Sequence, residues 1–219
     1  MTSFRAVGGG HPGEFAAGDA GNDSIAGFGQ SYGGDANDVV NLNRTGGFCS
    51  GDAGDDSIYG GDGHDTLHGS DGRDRVHGKI ANDSVNGGGG ADMLYGGSGD
   101  DTVFGAGGND RIFGGDGVDA LKGGFGRDWF VFKTVVDTGL NETEDIILDF
   151  NRLGRDKIDL HAIAPGLHFM TTEFSGTAGE VRFNAVTTTI EIDLDGVGGA
   201  DGSIRLMTVG FGPDDLILA

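Results

Sequence analysis

The chain lacks most of what fixes an ordinary globular fold. Its one cysteine, Cys49, excludes an internal disulfide framework. Three prolines against 47 glycines, with no three-residue glycine period, exclude collagen-like winding. Cations are scarce: 14 Lys and Arg face 35 Asp and Glu, a net charge of −21, which argues against nucleic acid or membrane insertion among the partners. No run approaches the roughly 18 apolar residues of a membrane span. Residues 1–10 carry one Arg and no apolar stretch of the secretory signal type. The six histidines (His11, His64, His68, His77, His161, His168) contain no His-Glu-x-x-His, so the zinc-protease pattern is missing.

What the chain does have is a repeat. Residues 51–131 are nine consecutive nine-residue words, beginning GDAGDDSIY, GGDGHDTLH, GSDGRDRVH. Every word starts with Gly. Every sixth place is Asp: Asp56, Asp65, Asp74, Asp83, Asp92, Asp101, Asp110, Asp119, Asp128. Every eighth place is apolar, from Ile58 and Leu67 to Leu121 and Phe130. Upstream, residues 18–26 are a good copy, 27–32 are a copy cut to six, and 33–41 match the main register with Asp38 and Val40. Residues 42–50 are degenerate, with Phe48 expected where Asp belongs. The expected organisation is a frayed cap and first coil over 1–32, a roll over 33–131 and a separate β module over 132–219.

Six turn residues and a three-residue strand divide each word. Glycines let the turn adopt positive φ, and in the strand only the eighth side chain points inward. Two words then make one coil of 18 residues, and stacked coils pair as parallel strands about 4.8 Å apart. That spacing puts Asp38, Asp56, Asp74, Asp92, Asp110 and Asp128 on one edge, and Asp65, Asp83, Asp101 and Asp119 on the other. Like charges stacked this closely need a cation between them. Calcium accepts 6–8 oxygen ligands in irregular geometry, magnesium demands near-octahedral sites, and zinc prefers nitrogen and sulfur. Small inward side chains cannot offset the ordering of so glycine-rich a backbone, so the metal-free roll should be unfolded and metal binding should be folding.

Two catalytic look-alikes occur near the start. Gly29-Gln30-Ser31-Tyr32-Gly33 spells a nucleophile elbow without a following helix signal. Gly8, Gly10 and Gly13 fit a dinucleotide fingerprint without its strand and helix. A structural reading is expected for both, and no catalytic residues are assigned.

The nine words spell G-G-x-G-x-D-x-U-x, and the chain resembles secreted members of the repeats-in-toxin (RTX) family. The resemblance implies an all-β fold: a right-handed parallel β-roll followed by a small antiparallel, β-sandwich-like C-terminal region. It implies ions held between turns of adjacent coils by the sixth-place aspartates and by turn carbonyls, here at Gly51, Gly60, Gly69, Gly87, Gly96, Gly105 and Gly114. Pairs at spacing 18 number five on one edge and three on the other. About eight calcium ions follow, fewer if the poor turn Gly78-Lys79-Ile80-Ala81 fails.

After Val131 the glycines thin out and alternating apolar residues predict strands near 130–134, 145–148, 157–160, 180–184, 187–194, 203–209 and 216–218. Asp128-Trp129-Phe130-Val131-Phe132, Asp149-Phe150, Asp156-Lys157-Ile158-Asp159-Leu160, the run from Phe174 to Glu180, and Asp193-Leu194-Asp195-Gly196 with Ala200-Asp201 resemble the C-terminal module of serralysin-type proteases. That resemblance implies a further calcium held by Asp137 and Asp145. Asp156 and Asp159 read as a structural turn and strand. Asp193, Asp195 and Asp201 miss the EF-hand spacing and read as a solvated turn. The end, Asp214-Asp215-Leu216-Ile217-Leu218-Ala219, resembles the uncleaved signal read by type I secretion machinery.

Seventh and ninth places point away from the roll interior. One such face, with Tyr59, Arg75, His77, Met93, Tyr95, Arg111, Phe113 and Trp129, is rich in aromatic and Arg residues. Cover by the C-terminal segment or cap is the first expectation; an acidic polysaccharide such as alginate is the second. The expected function is a non-catalytic, calcium-folded module of a type I secreted, extracellular bacterial protein, aiding export and stability. The alternatives are an extracellular polysaccharide-binding or adhesion protein, or the C-terminal part of a secreted metalloprotease or alginate epimerase.

Overall fold

The computed structural model describes residues 5–7, 15–27, 29–42, 46–139, 143–207 and 211–218. The Gly8/Gly10/Gly13 pattern and Ala219 lie outside them. The chain is an all-β, mostly parallel solenoid whose coils feed two sheets alternately. The ten-stranded sheet runs from Arg5–Val7 through Ser57–Tyr59, Arg75–Ile80, Met93–Ser98, Arg111–Asp116, Trp129–Val131 and Lys157–Asp159 to Leu216–Ile217. The twelve-stranded sheet runs from Phe15–Ala17 through Phe48–Ala53, Thr66–Asp71, Ser84–Gly90, Thr102–Gly108, Ala120–Phe125 and Asp145–Ile147 to Gly202–Leu206, then reverses through Thr189–Asp193 and Glu180–Asn184, ending on His168–Met170.

The register is the one that the word length dictates. Ile58 pairs with Val76, Leu94 with Ile112 and Val85 with Val103, each 18 residues on. The short unit at 27–32 makes one coil of 15 residues, pairing Ile25 with Val40 and Phe15 with Gln30. Eighth-place side chains from Ile58 to Phe130 are at most 1% exposed and form a single-file core between the sheets. Mid-roll strands are longer than three residues, because the first turn residues also pair from coil to coil, as Gly97 does with Gly115 and Ser98 with Asp116.

Residues 42–50 correct one expectation. Gly47, not Phe48, takes the aspartate's place, donating its N–H to Asp65 Oδ1 at 2.6 Å. Phe48 pairs with Thr66, a seventh-place residue, and Cys49 is the buried inward side chain. Ser31 is also inward and fully buried, in a strand paired with Cys49, and so cannot act as a nucleophile at a strand-to-helix turn.

Beyond Val131 the two sheets continue. Asp145–Ile147 adds to Ala120–Phe125, and Lys157–Asp159 adds to Trp129–Val131. The antiparallel part is the hairpin Glu180–Asn184/Thr189–Asp193 with Gly202–Leu206 beside it. The expected strands are present to within a few residues, and His168–Met170 is an additional one. This region mostly prolongs the sheets and covers the aromatic face only in part: Lys133 lies over the rings of Tyr95 and Phe113, Asp137 lines the same hollow, and Asp159 approaches Arg111 at 3.9 Å, while Arg75 and Arg111 remain exposed. Among the described residues no helix is long and apolar enough to cross a membrane.

Candidate metal centre

Each turn closes onto the next by a side-chain ladder. The N–H of Asp56 donates to Asp74 Oδ1 at 2.8 Å, Asp74 N–H to Asp92 Oδ1 at 2.8 Å, and Asp92 N–H to Asp110 Oδ1 at 2.9 Å. The other edge repeats this from Asp65 through Asp83 and Asp101 to Asp119. Each Asp carbonyl meanwhile accepts from a strand residue one coil on, as Asp56 does from Arg75. A ladder aspartate therefore spends its N–H, its carbonyl and Oδ1 on protein.

What remains is Oδ2. The Oδ2 atoms of Asp38, Asp56, Asp74, Asp83, Asp92, Asp101, Asp110, Asp119, Asp128 and Asp145 are buried without a hydrogen-bond partner. A buried carboxylate oxygen left unsatisfied carries the full cost of desolvation. Such a cost repeated ten times in two files needs a counter-charge.

The first-place glycines show what room is left there. A Cβ on Gly69 would lie 2.4 Å from Asp74 Oδ2 and 2.4 Å from the Gly87 carbonyl oxygen one coil on; on Gly105 the distances are 2.4 Å to Asp110 Oδ2 and 2.6 Å to the Gly123 carbonyl. Carboxylate and carbonyl oxygens from successive coils thus converge on a space that only glycine leaves open. Hard-cation sites are built from such all-oxygen sets, so the residues present fit a divalent ion. Glycine is needed again at the fourth place, where a Cβ on Gly108 (φ +137°) would collide with the Gly90 carbonyl at 1.3 Å.

The electrostatics agree. Burial, together with neighbouring aspartate charges, pushes the carboxyls of Asp74 and Asp110 up to about 7, Asp101 to about 8 and Asp145 to about 9, against the opposing pull of the ladder hydrogen bonds. Without a cation these groups prefer to be neutral.

Both ladders run past the last word. Asp119 N–H donates to Asp145 Oδ1 at 2.8 Å and Asp128 N–H to Asp156 Oδ1 at 3.0 Å. Asp145 and Asp156 are therefore the next rungs. Asp156, read from sequence as a structural turn residue, is that and a ladder acceptor as well: its Oδ2 takes the Asn151 N–H at 2.7 Å, so both of its oxygens are held by the protein. The signal was available: Asp156-Lys157-Ile158 repeats the Asp-x-apolar end of a word, and residues 151–156 (NRLGRD) mirror 123–128 (GGFGRD). Asp137, on the single turn Val136–Thr138, lies near enough for its charge to act on Asp119 and Asp145, and accepts from the N–H of Lys133 at 2.9 Å and of Thr134 at 3.2 Å.

A second acidic group gathers at the turn read from sequence as solvated, with Asp195 exposed and Asp201 half-buried. Carboxylate oxygens of Asp193, Asp195 and Asp201 lie within 4.8 Å of one another, and Asp193 is fully buried. Asp193 accepts from Gly196 N–H at 2.7 Å, and Asp201 from Leu194 N–H at 2.6 Å, which fixes the loop around the three. This group is spaced closely enough to share one cation.

A family model described as the peptidase M10 serralysin C terminal matches residues 14–218. The chain belongs to the serralysin C-terminal family. That family is the non-catalytic C-terminal module of serralysin-type proteases, and the matched span takes in the roll and the region after it as one unit. Among solved structures, the chain is similar to the solution structure of the AlgE6R3 subunit from the Azotobacter vinelandii mannuronan C5-epimerase, at 28% identity, covering 64% of this chain and 79% of that chain, with a TM-score of 0.49. Comparison with curated proteins gives no match.

Proposed function

We propose that this serralysin-type module is folded by calcium, and that it serves a type I exported bacterial protein by staying unfolded inside the cell and closing outside it. The observation that carries the reading is the pair of Asp files, ten of whose rungs hold a buried, unpartnered carboxylate oxygen. Calcium is the fitting ion because the candidate ligands are all oxygen and the coil geometry is irregular. The sixth-place aspartates from Asp38 to Asp128, with Asp145, would hold the ions together with the first-place glycine turns. The bound ions would neutralise the stacked carboxylates and so let adjacent coils close. Extracellular calcium modules bind at roughly 10⁻⁴–10⁻³ M, far above cytosolic calcium, which supports folding only after export. Circular dichroism in EGTA and then in calcium tests this. A disordered spectrum should become a strand spectrum in that concentration range, and an ordered spectrum in both would sink the proposal.

The C-terminal segment supports the export half. Leu216–Ile217 is hydrogen-bonded beside Lys157–Asp159, and Asp215 is buried against Arg152 at 3.2 Å. A signal built into the last strand is readable only before that strand docks. Removing residues 214–219 should abolish export while leaving calcium-induced folding of the roll largely intact. The family assignment supports a secreted metalloprotease as the architecture in which such a module works.

One observation favours a second role on the outer face. Arg73, Arg75 and Arg111 line a groove of about 420 Å³ together with Ser57, Met93 and the aspartates Asp55, Asp56, Asp74 and Asp92. The rings of His77, Tyr95 and Phe113 are already stacked on one another, at 5.2 and 4.5 Å between centroids, so an acidic polysaccharide would be held by guanidinium–carboxylate pairing more than by ring stacking. Oligouronate titration against Arg75→Gln/Arg111→Gln checks it: affinity should fall about tenfold or more, and unchanged binding removes the role.

A further inference from the structure

One rung differs from the others. Along residues 51–131, every sixth-place aspartate except Asp65 has an unpartnered Oδ2. Asp65 instead has both oxygens satisfied, Oδ1 by Gly47 N–H at 2.6 Å and Oδ2 by Gly61 N–H at 2.6 Å. On the same edge, one coil on, stands the turn Gly78-Lys79-Ile80-Ala81, where Lys occupies the second place and Ala the fourth.

Lys79 has φ +89° and Ala81 φ +79°, a region that glycine enters freely and a side chain does not. The lysine is nevertheless held in one position. Its half-buried ammonium donates to the Gly60 carbonyl oxygen at 2.7 Å, crossing from its own turn to the turn below, and lies over the Tyr59 ring at 5.7 Å. Gly60 is the first-place glycine of the word that holds Asp65, and its carbonyl is one of the oxygens the repeat offers to a cation. The same ammonium acts on the Asp65 carboxylate, working against the upward push of burial.

We propose that the Lys79 ammonium takes the place of a calcium ion between the turns at 60–65 and 78–83, so that this rung closes without metal. The proposal rests on the calcium reading above and refines it. A positive charge tethered to the chain is fixed on a turn carbonyl of this edge, and within residues 51–131 the neighbouring Asp65 is the aspartate whose two oxygens are both taken, by the N–H groups of Gly47 and Gly61. The turn is therefore a charge substitution and not a failed repeat. The roll then contains one fixed cation that calcium removal cannot extract, near its N-terminal third.

Counting calcium bound to the full-length chain tests the proposal, by equilibrium dialysis against calcium chloride or by native mass spectrometry. Lys79→Gly restores the repeat and should bind one more equivalent than the native chain. Lys79→Ala guards against a folding failure, since Ala106 already holds a second-place positive φ of +75° in this roll, and it should show the same gain. Lys79→Arg, which keeps the charge, should match the native count. Equal counts in the native, Gly and Ala forms, all binding calcium, would overturn the proposal. A native chain that binds no calcium at any concentration is a different result, since it removes the underlying reading as well.

Discussion

The roll and the region after Val131 share two sheets but balance their charges differently. In the roll each word buries one inward side chain, and the edges carry carboxylates whose second oxygens, that of Asp65 apart, have no donor. After Val131 the buried set is larger and more varied, with Phe132, Phe150, Leu160, Val181, Ile190, Ile192 and Ile204, and rings in contact from Phe130 through Phe150 to Phe211 and Phe183. There the acids meet arginines: Arg182 pairs with Glu191 and Glu173, Arg205 with Glu144, and Arg152 with Asp215. After Val131 much of the acid is countered from the sequence itself, Asp145 and the Asp193, Asp195 and Asp201 group excepted. The roll, Lys79 apart, must obtain its counter-charges from solution. Dependence on metal should therefore be strongest in the roll.

The largest expected effect is that of chelation. In EGTA, hydrogen exchange over 51–131 should lose all protection, while the hairpin Glu180–Asn184/Thr189–Asp193 keeps a measurable part of its own. Loss of both at one calcium concentration would break the contrast and make the chain a single cooperative unit. Next in size is a single rung. Asp110→Ala removes a ladder acceptor and an ion ligand together, and should raise the calcium midpoint by at least the roughly 10–100-fold typical of damage around metal ligands. Glu191→Ala, in the arginine-paired half, should leave that midpoint within about twofold, because exposed or part-buried ion pairs contribute little.

Acidity should act on the same aspartate ladders. Asp74, Asp101, Asp110 and Asp145 are raised in the folded chain to about 7, 8, 7 and 9, from 3.8 when unperturbed. A carboxyl with a raised folded pKa favours the fold while protonated. That contribution is complete below the unfolded value near 4 and is lost as pH rises through 7 to 9. In calcium-stripped buffer the roll should thus show more strand signal at pH 4 than at pH 8, and calcium should restore the signal at pH 8. A signal independent of pH without metal would show that the carboxylates do not govern closure.

How much of this was legible in the sequence depends on register. Within 51–131 the Asp-x-apolar ending repeats without interruption, so both edges, the core file and the pairing can be read directly from the letters. The register then breaks: the ladder steps from Asp119 to Asp145 and from Asp128 to Asp156 span 26 and 28 residues instead of 18. A count of nines cannot cross those insertions, which is why the place of Asp156 in the ladder is not legible from spacing. The Asp193, Asp195 and Asp201 group is set by a hairpin and a neighbouring strand, so its convergence is tertiary and leaves no fixed spacing. The fifth-place ladder, in which Asn37 Oδ1 accepts from Asp55 N–H at 3.0 Å and Asp55 Oδ1 from Arg73 N–H at 2.9 Å, was hidden because its members vary in type.

The finest test separates the two acids expected from the family resemblance to share one ion. Asp145 continues the file of Asp119, is fully buried, and has an unpartnered Oδ2. Asp137 already spends its carboxylate on its own turn, taking the N–H groups of Lys133 and Thr134 on one oxygen and the Thr134 hydroxyl at 2.5 Å on the other. If ligation follows the free oxygen, Asp145→Asn should shift the calcium midpoint by roughly 10-fold or more. Asp137→Asn should shift it by less than about twofold, at a stability change under about 1 kcal/mol, the worth of a local hydrogen bond. Comparable shifts from the two would mean that the turn at 136–138 rearranges on metal binding and gives up its internal bonds to the ion. The boundary between the metal-closed half and the arginine-paired half would then lie after Asp137 and Asp145 as a pair, instead of running between them.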